Sequence, residues 1–233
     1  MMKYSDTKRV RKISRPIVWA MMCASLLFAG VSGCSKFASQ KVSGAYPPSI
    51  QTDDTVVATL VSSLWSTKDE DRADSEEKII AFAQKSPAKR ELVINKLLSS
   101  VNAEKELDGT HTILNTSFLY WKSVTNIFVE LNATEAVDVL IRCVQCSNGM
   151  TGNFGEPPAS VALVRMGKPI LPRLSKALGE ELDAYKRMKL VLCIARIGGS
   201  EAISYLEQAL GSETHKDVRN VIKFNLSEMK SKN

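Results

Sequence analysis

The residues from Ile197 to Leu210 read IGGSEAISYLEQAL, and the fold follows from finding them again upstream. Moved back 66 positions without a gap, the stretch falls on Leu131 to Val144, LNATEAVDVLIRCV. Glu135, Ala136 and Leu140 match identically, and Leu131, Val137 and Val144 match in kind. A third copy lies between the two: Leu174, Ala177, Leu178, Gly179 and Glu181 return 32 positions later as Leu206, Ala209, Leu210, Gly211 and Glu213. Apolar residues three and four apart within each copy predict helices. A fixed period of about 32 to 34 residues predicts units whose apolar faces are buried only by stacking on their neighbours. The expected fold is all-α, an α-solenoid of stacked helix pairs.

The ankyrin Thr-Pro-Leu-His signature and the tetratricopeptide Trp, Leu-Gly and Tyr pattern are both absent. Met166-Gly167 before PILPRLSKAL and Ile197-Gly198 before AISYLEQAL set a small turn between two helices, and Asp217-Val218-Arg219 reads as the opening of one more first helix. Over about residues 112 to 229 the chain resembles the short HEAT-like repeats of bacterial proteins. That resemblance implies a helical scaffold that binds other proteins. Some HEAT-like proteins are bilin lyases or hydroxylate residues, but a fold does not carry its relatives' chemistry with it.

Residues 1–33 read as an export segment. Lys3, Lys8, Arg9, Arg11, Lys12 and Arg15 form a basic head, followed by the apolar, small-residue-rich run from Ile17 to Gly33. The run ends in Val31-Ser32-Gly33-Cys34, which resembles the lipobox of bacterial lipoproteins and implies acylation of Cys34, with palmitate among the acyl chains. Two or three chains would anchor stably, at about 0.8 kcal/mol per buried methylene. Ser35 follows the cysteine where enteric lipoproteins held at the inner membrane carry Asp, so the expected place is the periplasmic face of an outer membrane. An uncleaved membrane anchor and cleavage without lipid are the alternatives. Without this segment the 31 basic and 25 acidic residues become 25 and 24, a net charge of +1. No broad basic field is left for nucleic acid.

Residues 34–53, rich in polar residues with Gly44, Pro47 and Pro48, read as a tether with a root-mean-square span of about 24 Å. The helical region divides into a degenerate part, 54–104, and the repeat region, 105–233. Asp54 is expected to cap the first helix and Asp74 or Ser75 the second, while Pro87 suits the first turn of a third. Phe118, Tyr120, Trp121 and Phe128 make an aromatic stretch expected to lie in the core. Val137 to Val144 closes that unit. QCSNGMTGNFGEPP, from Gln145 to Pro158, breaks the pattern; it is long for a link between packed helices, and Met150, Asn153 and Phe154 are its candidate partner-binding residues.

Signals for chemistry are few. The two histidines, His111 and His215, stand alone, and nothing has the spacing of a metal site or a nucleophile elbow, so no metal, cofactor or small-molecule substrate is expected. Cys143 and Cys146 form a CxxC at the end of a helix, where the dipole opposes a thiolate. They read as a buried thiol pair or a local disulfide, with an envelope thiol redox enzyme as the alternative, and Cys193 reads as core. The expected function is a non-catalytic, lipid-anchored envelope protein that offers a helical surface to a protein partner.

Overall fold

The hydroxyl of Thr52 opens the first helix by accepting the Thr55 N–H at 3.3 Å, so Asp53–Ser63 (α1) begins just ahead of Asp54, which sequence alone suggests as the cap. The computed structural model describes residues 52–103, 115–146 and 156–231, with backbone alone for 102, 103 and 115–117. The second helix also starts earlier than expected. Asp69–Ala83 (α2) opens with three acids, Asp69, Glu70 and Asp71, whose charges suit the positive end of the dipole. Asp74 and Ser75 are therefore not caps: Asp74 lies within the helix and pairs with Lys78 at 2.6 Å, and Ser75 donates to the Asp71 carbonyl at 2.8 Å.

Pro87–Ala103 (α3) begins on its proline, where a missing N–H breaks no helical bond. Asn115–Glu130 (α4) and Val137–Arg142 (α5) follow, the latter entered through a 3-10 turn at Thr134–Ala136. Next come Pro158–Met166 (α6) and, after a second 3-10 turn at Lys168–Ile170, Leu171–Glu180 (α7). Asp183 caps Ala184–Ile197 (α8) by accepting the Lys186 N–H at 2.7 Å. Gly199–Ser212 (α9) and Lys216–Ser231 (α10) complete an architecture without a strand among the described residues.

Helix contacts follow a simple order. The even helices touch in succession, α2 on α4, α4 on α6, α6 on α8 and α8 on α10. Among the odd helices, α1 meets α3, α3 meets the turn that leads into α5, α5 meets α7 and α7 meets α9. Leu140, Leu174 and Leu206 lie on α5, α7 and α9, and each is fully buried. Burying a leucine contributes roughly 1.5–3 kcal/mol, so each of the three is a substantial part of the core. Tyr120, Trp121 and Phe128 are buried as expected, and Trp65, just past α1, stacks on Tyr120 with ring centroids 4.1 Å apart.

Two turns use glycine for its backbone freedom. Gly167 has φ 72° and ψ −151°, and Gly198 has φ 74° and ψ −172°, a region that residues with a Cβ rarely enter. These are the Met-Gly and Ile-Gly pairs that mark the period in the sequence. Arginines then tie helices across it. Arg187 donates to the Glu181 and Leu182 carbonyls at 3.0 and 2.8 Å, and Arg219, 32 positions on, donates to the Leu210 and Glu213 carbonyls at 3.0 and 2.7 Å. Both cap the C-terminal end of the preceding helix with positive charge, where the dipole favours it. Arg90 of α3 does similar work at a distance, reaching the Leu131 and Asn132 carbonyls at 3.1 Å each and Glu135 at 2.9 Å.

Candidate functional site

α8 and α10 each have a core stripe and, beside it, a second stripe that the core covers only in part. On α8, Leu190, Val191, Cys193 and Ile194 face inward, and on α10, Val218, Ile222 and Leu226 do. Tyr185, Met188, Lys189 and Leu192 of α8 then line one wall of a groove, with Asn220, Val221, Phe224 and Asn225 of α10 on the other, enclosing about 430 Å³. Phe224 is 67% exposed, Tyr185 52% and Leu192 38%. Three large apolar side chains on one groove are unlike a scatter of single surface hydrophobes, which needs no explanation. Lys189 is the one charged side chain among the described residues of the lining, and its ammonium lies 5.1 Å from the Tyr185 ring centroid. The contact is a cation–π pair that leaves the charge at the groove wall.

Two other cavities are more polar and hold charges that are mostly paired. A space of about 230 Å³ between α4 and α6 is lined by Phe118, Val161 and Arg165 among others, and there Arg165 binds Glu130 at 2.7 Å and Asn126 at 3.3 Å. A polar cleft of about 310 Å³ holds Arg187, which gives its N–H groups to Glu213 at 2.8 and 3.2 Å and to two carbonyls. The charges of the polar cleft are thus all paired, whereas the space between α4 and α6 is also lined by Lys122.

The cysteines are placed for packing. Cys143 and Cys146 close the end of α5, each 1% exposed, and the Cys146 N–H donates to the Cys143 carbonyl at 3.0 Å. Their thiols share a hydrogen bond which, with burial, pushes Cys143 far above the ordinary thiol range. Cys193 is pushed up to about 11 by burial, and its sulfur sits 3.9 Å from the Ser160 carbonyl. A redox-active thiol needs exposure and a lowered pKa. These have neither. Ser160 itself is buried and donates to the Val144 carbonyl at 2.8 Å, fastening the cysteine turn to α6. No cluster of three or more His, Cys, Asp or Glu suited to a metal occurs among the described residues. No helix there is long and apolar enough to cross a membrane.

Cys34, with the export segment and most of the tether, lies outside the described residues, as do His111 and the loop candidates Met150, Asn153 and Phe154. The groove is what the sequence reading missed. Phe224 passes unnoticed between Lys223 and Asn225 in the sequence. An aromatic on the polar side of an amphipathic helix was the available signal. Comparison with family models, curated proteins and solved structures found no match for this chain.

Proposed function

We propose that this chain is a non-catalytic, lipid-anchored envelope protein whose helix pairs stack as a HEAT-like α-solenoid, and that its α8–α10 groove receives an amphipathic helix of a protein partner. The observation that carries the binding reading is the exposed strip of Tyr185, Leu192 and Phe224 along one groove. On α8 the lining residues 185, 188, 189 and 192 repeat at helical spacing and span about two turns, roughly 10 Å. A helix laid in such a groove presents its own apolar residues at the same spacing. Lys189 in the wall and Lys223 beside Phe224 favour a carboxylate on that helix. The stack is supported by the succession of contacts among odd and among even helices, by the paired glycine turns and by the arginine caps 32 residues apart. The anchor is supported by Val31-Ser32-Gly33-Cys34 at the end of an apolar run.

Magnitudes fit a weak contact made effective by the anchor. The exposed parts of Tyr185 and Phe224 offer roughly 240 Å², taking about 200 Å² for a whole aromatic side chain, and burying them yields about 6 kcal/mol gross. Association consumes about 4 kcal/mol or more, so little remains as net affinity. Holding both partners at one membrane raises their effective concentration and compensates.

The test is a photo-crosslinking residue at position 224 or 192 of the full chain in its native envelope, with position 176 on α7 as control. A specific partner captured from the groove positions and lost with Phe224→Asp is expected. Equal capture from all three positions, or none from the groove, would remove the groove from the proposal. Acyl labelling that survives Cys34→Ser would remove the anchor separately.

A further inference from the structure

The turn after α5 holds two side chains that the binding function does not use. We propose that Cys143 and Cys146 are a modification site, joined in the mature protein as a disulfide that closes the end of α5, while Cys193 stays a thiol. The inference is independent of the groove.

The backbone already has the required shape. The 3.0 Å bond from the Cys146 N–H to the Cys143 carbonyl closes a four-residue turn. Such turns bring their first and fourth Cα atoms within about 7 Å, and disulfides span about 4.4–6.8 Å. Both side chains are buried and their thiols hydrogen-bond to each other, so they point the same way. Cys193 is engaged elsewhere, against the Ser160 carbonyl on the α6 side.

The site also has a use for the bond. α5 has six residues and no side-chain cap at its start. A helix that short is marginal without help from its surroundings. A closed 143–146 ring fixes its last turn, and the Ser160 hydroxyl on the Val144 carbonyl pins that ring to α6.

The oxidant is a disulfide, protein-borne or small. One cysteine thiolate attacks a sulfur of that disulfide, breaking its S–S bond and releasing one thiolate, which takes up the proton given up by the attacking thiol. The second cysteine loses its proton and attacks the mixed disulfide, releasing the other thiolate. Two cysteines are oxidised and one disulfide is reduced to two thiols. Because both sulfurs are buried in the folded chain, the bond forms as the chain folds or during opening of α5, and it does not turn over like an enzyme's.

Peptide mapping of the wild-type full chain tests this, after refolding with oxidised and reduced glutathione and alkylation in denaturant without reductant. Trypsin places Cys143 and Cys146 on one peptide, 143–165, and Cys193 on another, 190–196. The first peptide is expected to be two hydrogens lighter and unalkylated, the second alkylated. Alkylation of both 143 and 146, or a link from either to Cys193, Cys34 or Cys23, overturns the proposal. The oxidised chain is also expected to unfold at higher urea than the reduced chain; an equal or lower midpoint would refute the closing role for α5. The refolding arm needs no export, so its outcome is separate from that of the anchor.

Discussion

Replacing Gly167 by alanine isolates backbone conformation from crowding. A Cβ built at Gly167 meets nothing within 4 Å, so the new methyl has space. What it lacks is an allowed conformation, since φ 72° with ψ −151° costs a non-glycine residue about 1–3 kcal/mol. Alanine also narrows the unfolded ensemble, which returns about 0.4–1 kcal/mol. The net expectation is a loss of about 1–2 kcal/mol, or roughly 3–6 °C in Tm for a chain of this size. Gly211 supplies the control. It lies inside α9, its Cβ position is also open, and its φ is not positive. There, in the last turn of α9, the same substitution should stabilise slightly, by up to about 0.5 kcal/mol, because glycine is a poor helix former. Urea denaturation followed by circular dichroism reads both, with an unchanged slope required so that the shift reports stability. If both variants move in the same direction, the account of these turns is wrong.

Four other outcomes follow from the packing and the charges. Leu174→Ala should cost about 2–5 kcal/mol by opening a cavity in the core, whereas Leu182→Ala, at a side chain 92% exposed, should stay within about 0.5 kcal/mol. Acid stability should depend on two glutamates. The Arg90 hydrogen bond holds Glu135 below the ordinary 4.5; at Glu213 burial pushes up, but the His215 N–H and Arg187 pull further down. A carboxyl lowered in the folded state adds stability that is whole above its unfolded pKa and lost as pH falls through the folded one. Glu135→Gln and Glu213→Gln should therefore flatten the loss of stability below about pH 4.5 in a pH series of melts. Arg187→Met should destabilise more than Lys176→Met, because Arg187 serves two carbonyls and a carboxylate while Lys176 reaches only Glu180 at 3.9 Å in an exposed pair. Cys193, with its thiol pushed up to about 11, should resist alkylation at neutral pH until denaturant opens the core, as mass spectrometry of timed samples would record.

Much of the helical order was legible because it depends on spacing alone. Leucines at three and four residue intervals and glycine after Met166 and Ile197 mark both faces and turns before any coordinates are known. Starts of helices were less legible. At Asp69 three consecutive acids open α2 without a cap, and the better capping residues Asp74 and Ser75 lie too late in the chain to matter. The arginine links were hidden for another reason: Arg90 meets Glu135 across 45 positions of sequence, and Arg165 meets Glu130 across 35. Pairing at that range depends on which helices become neighbours. The groove was missed because its two walls come from separate helices, and each wall alone reads as an ordinary amphipathic surface.

The position of Phe224 on α10 supports a binding role more than its hydrophobicity does. Successive helical residues turn by about 100°, so Phe224 points some 200° away from Ile222 and cannot extend the inward stripe of Val218, Ile222 and Leu226. A side chain 67% exposed also contributes little to folding, and a polar residue there would be tolerated at small cost. The core therefore gives no reason for an aromatic at 224 or at 185, and contact with another molecule supplies one. Measured side by side, Phe224→Asp should leave the melting temperature within about 2 °C of wild type while abolishing capture of the partner. A variant that loses both together would place Phe224 among the residues that hold α10 to α8, and the face would then have no claim to be a site.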